Sequence, residues 1–249
     1  DLSVFGRYPR IFEYPDWYLS WYWQAMRKGK ALVRRYQPDV IWSTFPASTA
    51  HLIAGRLAKK FNLPWVADFR DPLGSHYDEM ANGNSFASYI DKKTYENADH
   101  LVFVCEQAAN LYRKVYFDRP SISVIENGFD DSIYEAARKY PAKPERKQFV
   151  MSYFGSVYGG ASTSARYLPP FLKDIGALKE KGVITAHTFQ VMFWGSGGLE
   201  RYDDLIESLG IRDLITGNER ISQKEAMQKM IESDALMLLQ GPVFNCQIP

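Results

Sequence analysis

Short apolar runs alternate with amphipathic stretches along this chain. The runs at Asp39–Thr44, Pro64–Phe69, His100–Cys105 and Ser121–Ile125 carry apolar side chains on both faces. That is how a parallel strand covered by helices on both sides reads. Between them, Ser48–Phe61 spaces Leu52, Gly55/Arg56 and Lys59/Lys60 as a helix, with Ser48 or Thr49 as its cap. Helices are also predicted over 84–97 and 106–116, and one over 15–36 precedes the first strand. Residues 141–147 are polar, follow Tyr140 and contain two prolines, the composition of a linker. The alternation then restarts. Strands are predicted at Phe149–Phe154, Thr188–Trp194, Leu214–Thr216 and Ala235–Leu239, with helices beginning near Pro169–Pro170 and over Leu199–Leu209 and Ser222–Ser233. Ser222 with Glu225 three residues on forms a capping box. The expected fold is α/β, with two Rossmann-like, doubly wound parallel-sheet domains over 1–140 and 148–249. Such domains open on a strand with a ligand loop and follow a strand end with loop and helix, so both ends of the chain read as cut.

Composition narrows the function. The 249 residues carry a net charge of +1, with 46% apolar and 24% charged residues. These values exclude a disordered chain and argue against a partner such as nucleic acid. Two cysteines, Cys105 and Cys246, are too few for a disulfide framework and fit a reducing, cytoplasmic setting. No run of 18 apolar residues exists to cross a bilayer. The helix at 15–36 has two readings. Its Trp17, Trp21, Ala25, Leu32 and Tyr36 pack on the sheet beneath a solvated basic face, or its aromatic and basic residues contact a membrane peripherally. We take packing on the sheet as the expectation.

Ligands of open α/β sheets lie at the carboxyl ends of strands. In the second half two glycine loops stand there, Gly155-Ser156-Val157-Tyr158-Gly159-Gly160 and Gly195-Ser196-Gly197-Gly198. Glycines let backbone approach a phosphate, and the following helix supplies amide donors. Arg166 is the nearest candidate cation for a diphosphate, and neither loop is a dinucleotide or Walker fingerprint. In the first half the strand ends offer Phe45, the run Asp68-Phe69-Arg70-Asp71, and Glu126-Asn127. Three charges at one strand end must face a cleft or form ion pairs. His51, His76, His100 and His187 have no metal-ligand spacing, and Cys105 reads as a small core residue.

Taken in order, the stretches PDVIWSTFPASTAHLIAGRLAKKFNLPWVADFRDPL, ADHLVFVCEQAANLYRK, ISVIENGFD, YFGSVYGG, FQVMFWGSG and GNERISQKEAMQKMIESDALMLL resemble group 1 (family 4) glycosyltransferases of the GT-B fold. The resemblance covers most of residues 38–239. It implies an acceptor domain and a nucleotide-sugar domain facing a cleft, sugar transfer with retention, no metal and no cofactor beyond the donor. It further implies a saccharide or lipid-linked acceptor, and a place in glycan or cell-surface polysaccharide synthesis in the cytoplasm or at the inner membrane face. Arg70 and Asp71 match the position near the reacting centre, with Phe45, Asp68, Glu126 and Asn127 on the acceptor side. Gly155, Ser156, Tyr158, Gly159, Gly160, Arg166, Gly195, Ser196 and Ile221 match the donor side, Ile221 near the base. Ser156 stands where many members carry Arg, and Ala161 or Ser162 where they carry Lys. Two alternatives stay open: a nucleotide-sugar 2-epimerase of the same fold, and a non-catalytic binding module.

Overall fold

A computed structural model describes residues 16, 18–71, 86–117, 121–140, 145–157 and 167–240. These fall into two compact units, the first ending at Asn127 and the second beginning at Gly128.

In the first unit a 3-10 turn at Leu19–Trp21 leads into α1 (Tyr22–Tyr36). Then come β1 (Ile41–Thr44), α2 (Ser48–Phe61), β2 (Trp65–Phe69), α3 (Phe86–Asn97), β3 (His100–Phe103), α4 (Glu106–Val115) and β4 (Ile122–Val124). The strands are parallel and stand in chain order, β1-β2-β3-β4. Each crossover therefore steps the same way, and right-handed connections put α2, α3 and α4 on one face. The core agrees: Trp65, Ala67, Phe69, Leu101 and Phe103 pack with Ala54 and Ala58 of α2, Tyr95 of α3, and Ala108 and Tyr112 of α4. The opposite face of β1 is not covered among the described residues. Trp42 is 56% exposed, where the apolar pattern predicts helices on both sides.

Two local expectations are corrected. The N-cap position of α2 is Ala47, which makes no side-chain cap bond. Asp16 supplies the cap from a distance instead, its carboxylate accepting from the Thr49 amide at 2.7 Å and the Thr49 hydroxyl at 2.8 Å. And the turn with α1 does not lay Trp21, Leu32 and Tyr36 on the sheet. It buries Tyr22 and Met26 against Ile53 and Leu57 of α2, while those three residues and Trp23 are exposed. The buried stripe passes through Gly29, where a Cβ would sit 2.7 Å from Leu57 Cδ1, so glycine admits the partner helix. Trp17 lies outside the described residues, as do His76 and Cys246.

The second unit contains α5 (Asp131–Ala137), β5 (Phe149–Phe154), α6 (Pro169–Glu180), β6 (Phe189–Trp194), α7 (Asp203–Ser208), β7 (Ile215–Asn218), α8 (Gln223–Glu232) and β8 (Ala235–Leu236). The hydrophobic pattern predicts no helix at 131–137, yet Asp130 caps one there by accepting from the Ser132 amide at 2.9 Å. The capping box of α8 forms as expected, Ser222 with Glu225. Strand order is β7-β6-β5-β8, all parallel. Here the winding reverses at β5, which makes this sheet doubly wound. Asp234 fixes β8 beside β5: its carboxylate accepts from the Val150 amide at 2.7 Å and from Arg146 at 2.9 Å.

Candidate functional site

The carboxyl ends of β5, β6 and β7 form a continuous row. The Gly155 amide donates to the Trp194 carbonyl at 3.2 Å and the Gly195 amide to the Asn218 carbonyl at 3.1 Å, extending the ladder past both strands. These two glycine amides are therefore spent on the sheet. The Gly198 amide is spent too, on Glu200 Oε2 at 3.0 Å. The amides of Ser196 and Gly197 have no partner among the described residues, and they are the donors this loop can offer an anion.

Ser196 also joins the two loops, its hydroxyl donating to the Gly155 carbonyl at 2.8 Å. Tyr153 holds the same stretch by donating to the Ser156 carbonyl at 3.0 Å. At Gly198, φ is +105° and a Cβ would lie 2.5 Å from the Val157 carbonyl oxygen. Only glycine lets the two loops approach this closely.

Beside them is a cavity of about 780 Å³, whose wall includes Gly195, Ser196, Gly197, Asn218, Glu219 and Arg220. Arg212, also on the wall, is taken up by Asp203 at 2.6 Å and Glu207 at 2.8 Å. Arg220 has no acidic partner among the described residues. Sequence reasoning names its segment but not Arg220 itself. The signal was present, since the arginine stands two residues past the end of β7. Ile221 is half-buried next to it and is not part of the cavity wall. Tyr158, Gly159, Gly160 and Arg166 lie outside the described residues.

In the first unit the register of β1 on β2 sets Thr44 beside Asp68. The Thr44 hydroxyl donates to Asp68 Oδ2 at 2.9 Å, and the Phe45 amide to the Asp68 carbonyl at 3.0 Å. Phe45 and Asp68 are thus brought together, and Arg70 and Asp71 follow on the same strand end. Burial pushes the Asp71 carboxyl above the ordinary carboxylate range, and the neighbouring Arg70 guanidinium partly offsets that. Glu126 and Asn127 are exposed beyond β4, which β3 separates from β2. At ~4.8 Å per strand they stand about 10 Å along the sheet edge from Asp68.

Below this edge lies a network the sequence does not announce. His51 is fully buried, with Nδ1 2.8 Å from Ser43 Oγ, and Ser43 Oγ accepts from the Trp65 indole at 2.8 Å. Cys105 is buried at the N-cap position of α4, a core residue as expected.

Comparison with known proteins gives a family and a fold. The model for Glycosyltransferase Family 4 matches residues 3–133, more than half of the chain. No curated protein matches the sequence significantly. Among solved structures, sucrose-phosphate synthase from Thermosynechococcus elongatus aligns at TM-score 0.61 and 14% identity, over 85% of this chain and 52% of its own. The lipopolysaccharide outer core galactosyltransferase WaaB, in its apo form, aligns at 0.58 and 14%, over 86% and 54%. HepE of Anabaena, solved in complex with UDP, aligns at 0.57 and 13%, over 84% and 55%. At these identities the likeness is one of fold, the two-sheet GT-B architecture, and the chain spans about half the length of each of these structures.

Proposed function

The chain belongs to glycosyltransferase family 4, and from that premise we propose that it moves a sugar from a nucleotide-sugar donor to a saccharide or lipid-linked saccharide. The transfer retains anomeric configuration and serves glycan or cell-surface polysaccharide synthesis. The observation that carries this reading is the row of strand ends in the second unit. The amides of Ser196 and Gly197 and the cation Arg220, none with a partner among the described residues, border a cavity large enough for a nucleotide.

In this reading the diphosphate of the donor lies against those amides, with Arg220 and Arg166 meeting the charge that grows as it departs. Fixed dipoles and cations aimed at developing charge lower such a barrier without reorganisation. The transfer then needs no metal ion. In the first unit, Asp71 takes a hydrogen bond from the acceptor hydroxyl and Arg70 steadies the charge. A carboxyl raised by burial is better matched to sharing a proton near neutral pH. Phe45, Asp68, Glu126 and Asn127 orient the acceptor. HepE, of like fold, holds UDP in its crystal, so uridine donors are the first to test. The basic, aromatic exposed face of α1 supports peripheral contact with the inner face of a membrane, on the cytoplasmic side.

Incubation with nucleotide sugars and acceptor saccharides, followed by proton NMR of the anomeric signals, tests the reading. We expect a product with the donor's configuration, formed equally in EDTA. Arg166→Ala is expected to weaken nucleotide binding more than Arg70→Ala does. An inverted product, or donor consumed without acceptor as in a 2-epimerase, would overturn it.

A further inference from the structure

The wall of the cavity beside Gly195 and Ser196 holds three carboxylates, and two of them are taken up. Asp203 is engaged with Arg212 at 2.6 Å, and Glu200 accepts from the Gly198 amide at 3.0 Å. The third, Glu219, is exposed and has no partner among the described residues.

The sheet sets its place. The register of β6 on β7 puts Trp194 beside Asn218, and the Gly195 amide donates to the Asn218 carbonyl. Glu219 follows Asn218 directly. It therefore leaves the sheet one strand away from the point where the glycine loop leaves it. One strand spacing is ~4.8 Å, about the span of a pentose ring. The Ser196 and Gly197 amides stand at one end of that span and the Glu219 carboxylate at the other.

The two ends differ in chemistry. Backbone amides donate, which suits phosphate oxygens. A carboxylate accepts hydrogen bonds and donates none, so Glu219 repels a phosphate and suits O–H donors. Two neighbouring hydroxyls match its two oxygens. The layout is also that of a nucleotide-binding α/β unit: strand, glycine loop, helix, next strand, then an acidic residue about 20 positions past the loop that takes the ribose. Here β6, Gly195-Ser196-Gly197-Gly198, α7, β7 and Glu219 follow in that order and at about that spacing. Glu200 stands at the place of the dinucleotide fingerprint's third glycine, so the likeness is one of layout and not of motif.

We propose that Glu219 holds the ribose of the donor nucleotide, its two carboxylate oxygens accepting from the 2′- and 3′-hydroxyls, and so selects ribonucleotides over deoxyribonucleotides. The assignment rests on the donor-site reading and deepens it. Arg220 meets the phosphates and Glu219 the sugar, so two successive residues tell the ends of the nucleotide apart. A buried acceptor rejects an analogue lacking its hydroxyl by several powers of ten. Glu219 is exposed, and water can replace the lost hydroxyl there, so the expected discrimination is about tenfold.

Calorimetric titration of the chain with UDP, GDP and ADP, each against its 2′-deoxy form, tests this, with the same series on Glu219→Ala. One ribonucleotide should bind about tenfold tighter than its deoxy form. In Glu219→Ala the ribo form should weaken to the level of the deoxy form, whose own affinity should not fall. An unchanged melting temperature without ligand checks that the variant folds. Equal affinity for the ribo and deoxy forms, or a preference that survives Glu219→Ala, would overturn the proposal and leave the donor site standing. Binding of none of these nucleotides would overturn the donor-site reading itself, and the ribose contact with it.

Discussion

His51 shows what a single buried residue contributes. It packs 5.1 Å from the Phe69 ring, centre to centre, at the end of the strand that leads into Arg70 and Asp71. Burial lowers its pKa from the ordinary 6.5 to about 4. Unfolded, this residue binds a proton near pH 6.5; folded, only near pH 4. Between those values the unfolded chain holds more protons, so stability is full above pH 6.5 and declines as pH falls toward 4. At 1.36 kcal/mol per pH unit, about 2 kcal/mol is lost between pH 7 and pH 5. Urea unfolding at both pH values should show this loss in the wild type and a clearly smaller one in His51→Phe, which keeps an aromatic ring on Phe69. An unchanged loss would mean that His51 is not the titrating group. Position 51 was legible in the sequence as helical, but not its bonds. Ser43 and Trp65 reach it only through the pairing of β1 with β2.

At the scale of elements, contiguous information proved legible and distant information did not. The strands at Phe149–Phe154 and Phe189–Trp194 match their apolar runs because each has a parallel neighbour on both sides, and inner strands of a parallel sheet carry apolar side chains on both faces. The cap of α2 was hidden because Asp16 lies 33 residues away from Thr49. The glycine loops were visible, but which amides remain free depends on how far the ladder runs past each strand, a tertiary fact. Two predictions belong here. Gly198→Ala puts a Cβ against the Val157 carbonyl at positive φ, whereas at Gly197 nothing stands within 4 Å. Strain of this kind costs about 1–3 kcal/mol, so Gly198→Ala should lower the melting temperature and Gly197→Ala should leave it nearly unchanged. Equal melting temperatures would contradict the close approach of the two loops. The second concerns α1, with five basic residues and no acidic one, where Trp23 is exposed at 76% and Trp21 of the preceding turn at 49%. Sedimentation with anionic vesicles should pull down the wild type at low salt, and a Trp21→Ser/Trp23→Ser double variant several-fold less. Equal partition would remove α1 as the contact.

At the scale of the whole molecule, the two units differ in how much of their role the sequence disclosed. The first carries nearly all of the family match, and at its strand ends Phe45 and Asp68 are neighbours through the pairing of β1 with β2. The second carries a doubly wound sheet whose reversal at β5 appears only once strand order is known, and with it the cation that no motif had singled out, Arg220. The proposed transfer requires that the second unit hold a nucleoside diphosphate. The most direct measurement is thermal unfolding of the chain with UDP, GDP, dTDP and ADP in turn, repeated on Arg220→Ala. A ligand at 100 times its dissociation constant adds about 2.7 kcal/mol, a rise of roughly 5–10 °C for a chain of this size. Such a rise is expected with one nucleoside diphosphate and is expected to be lost in Arg220→Ala; no rise with any of the four, or a rise that Arg220→Ala leaves intact, would contradict a donor site in the second unit.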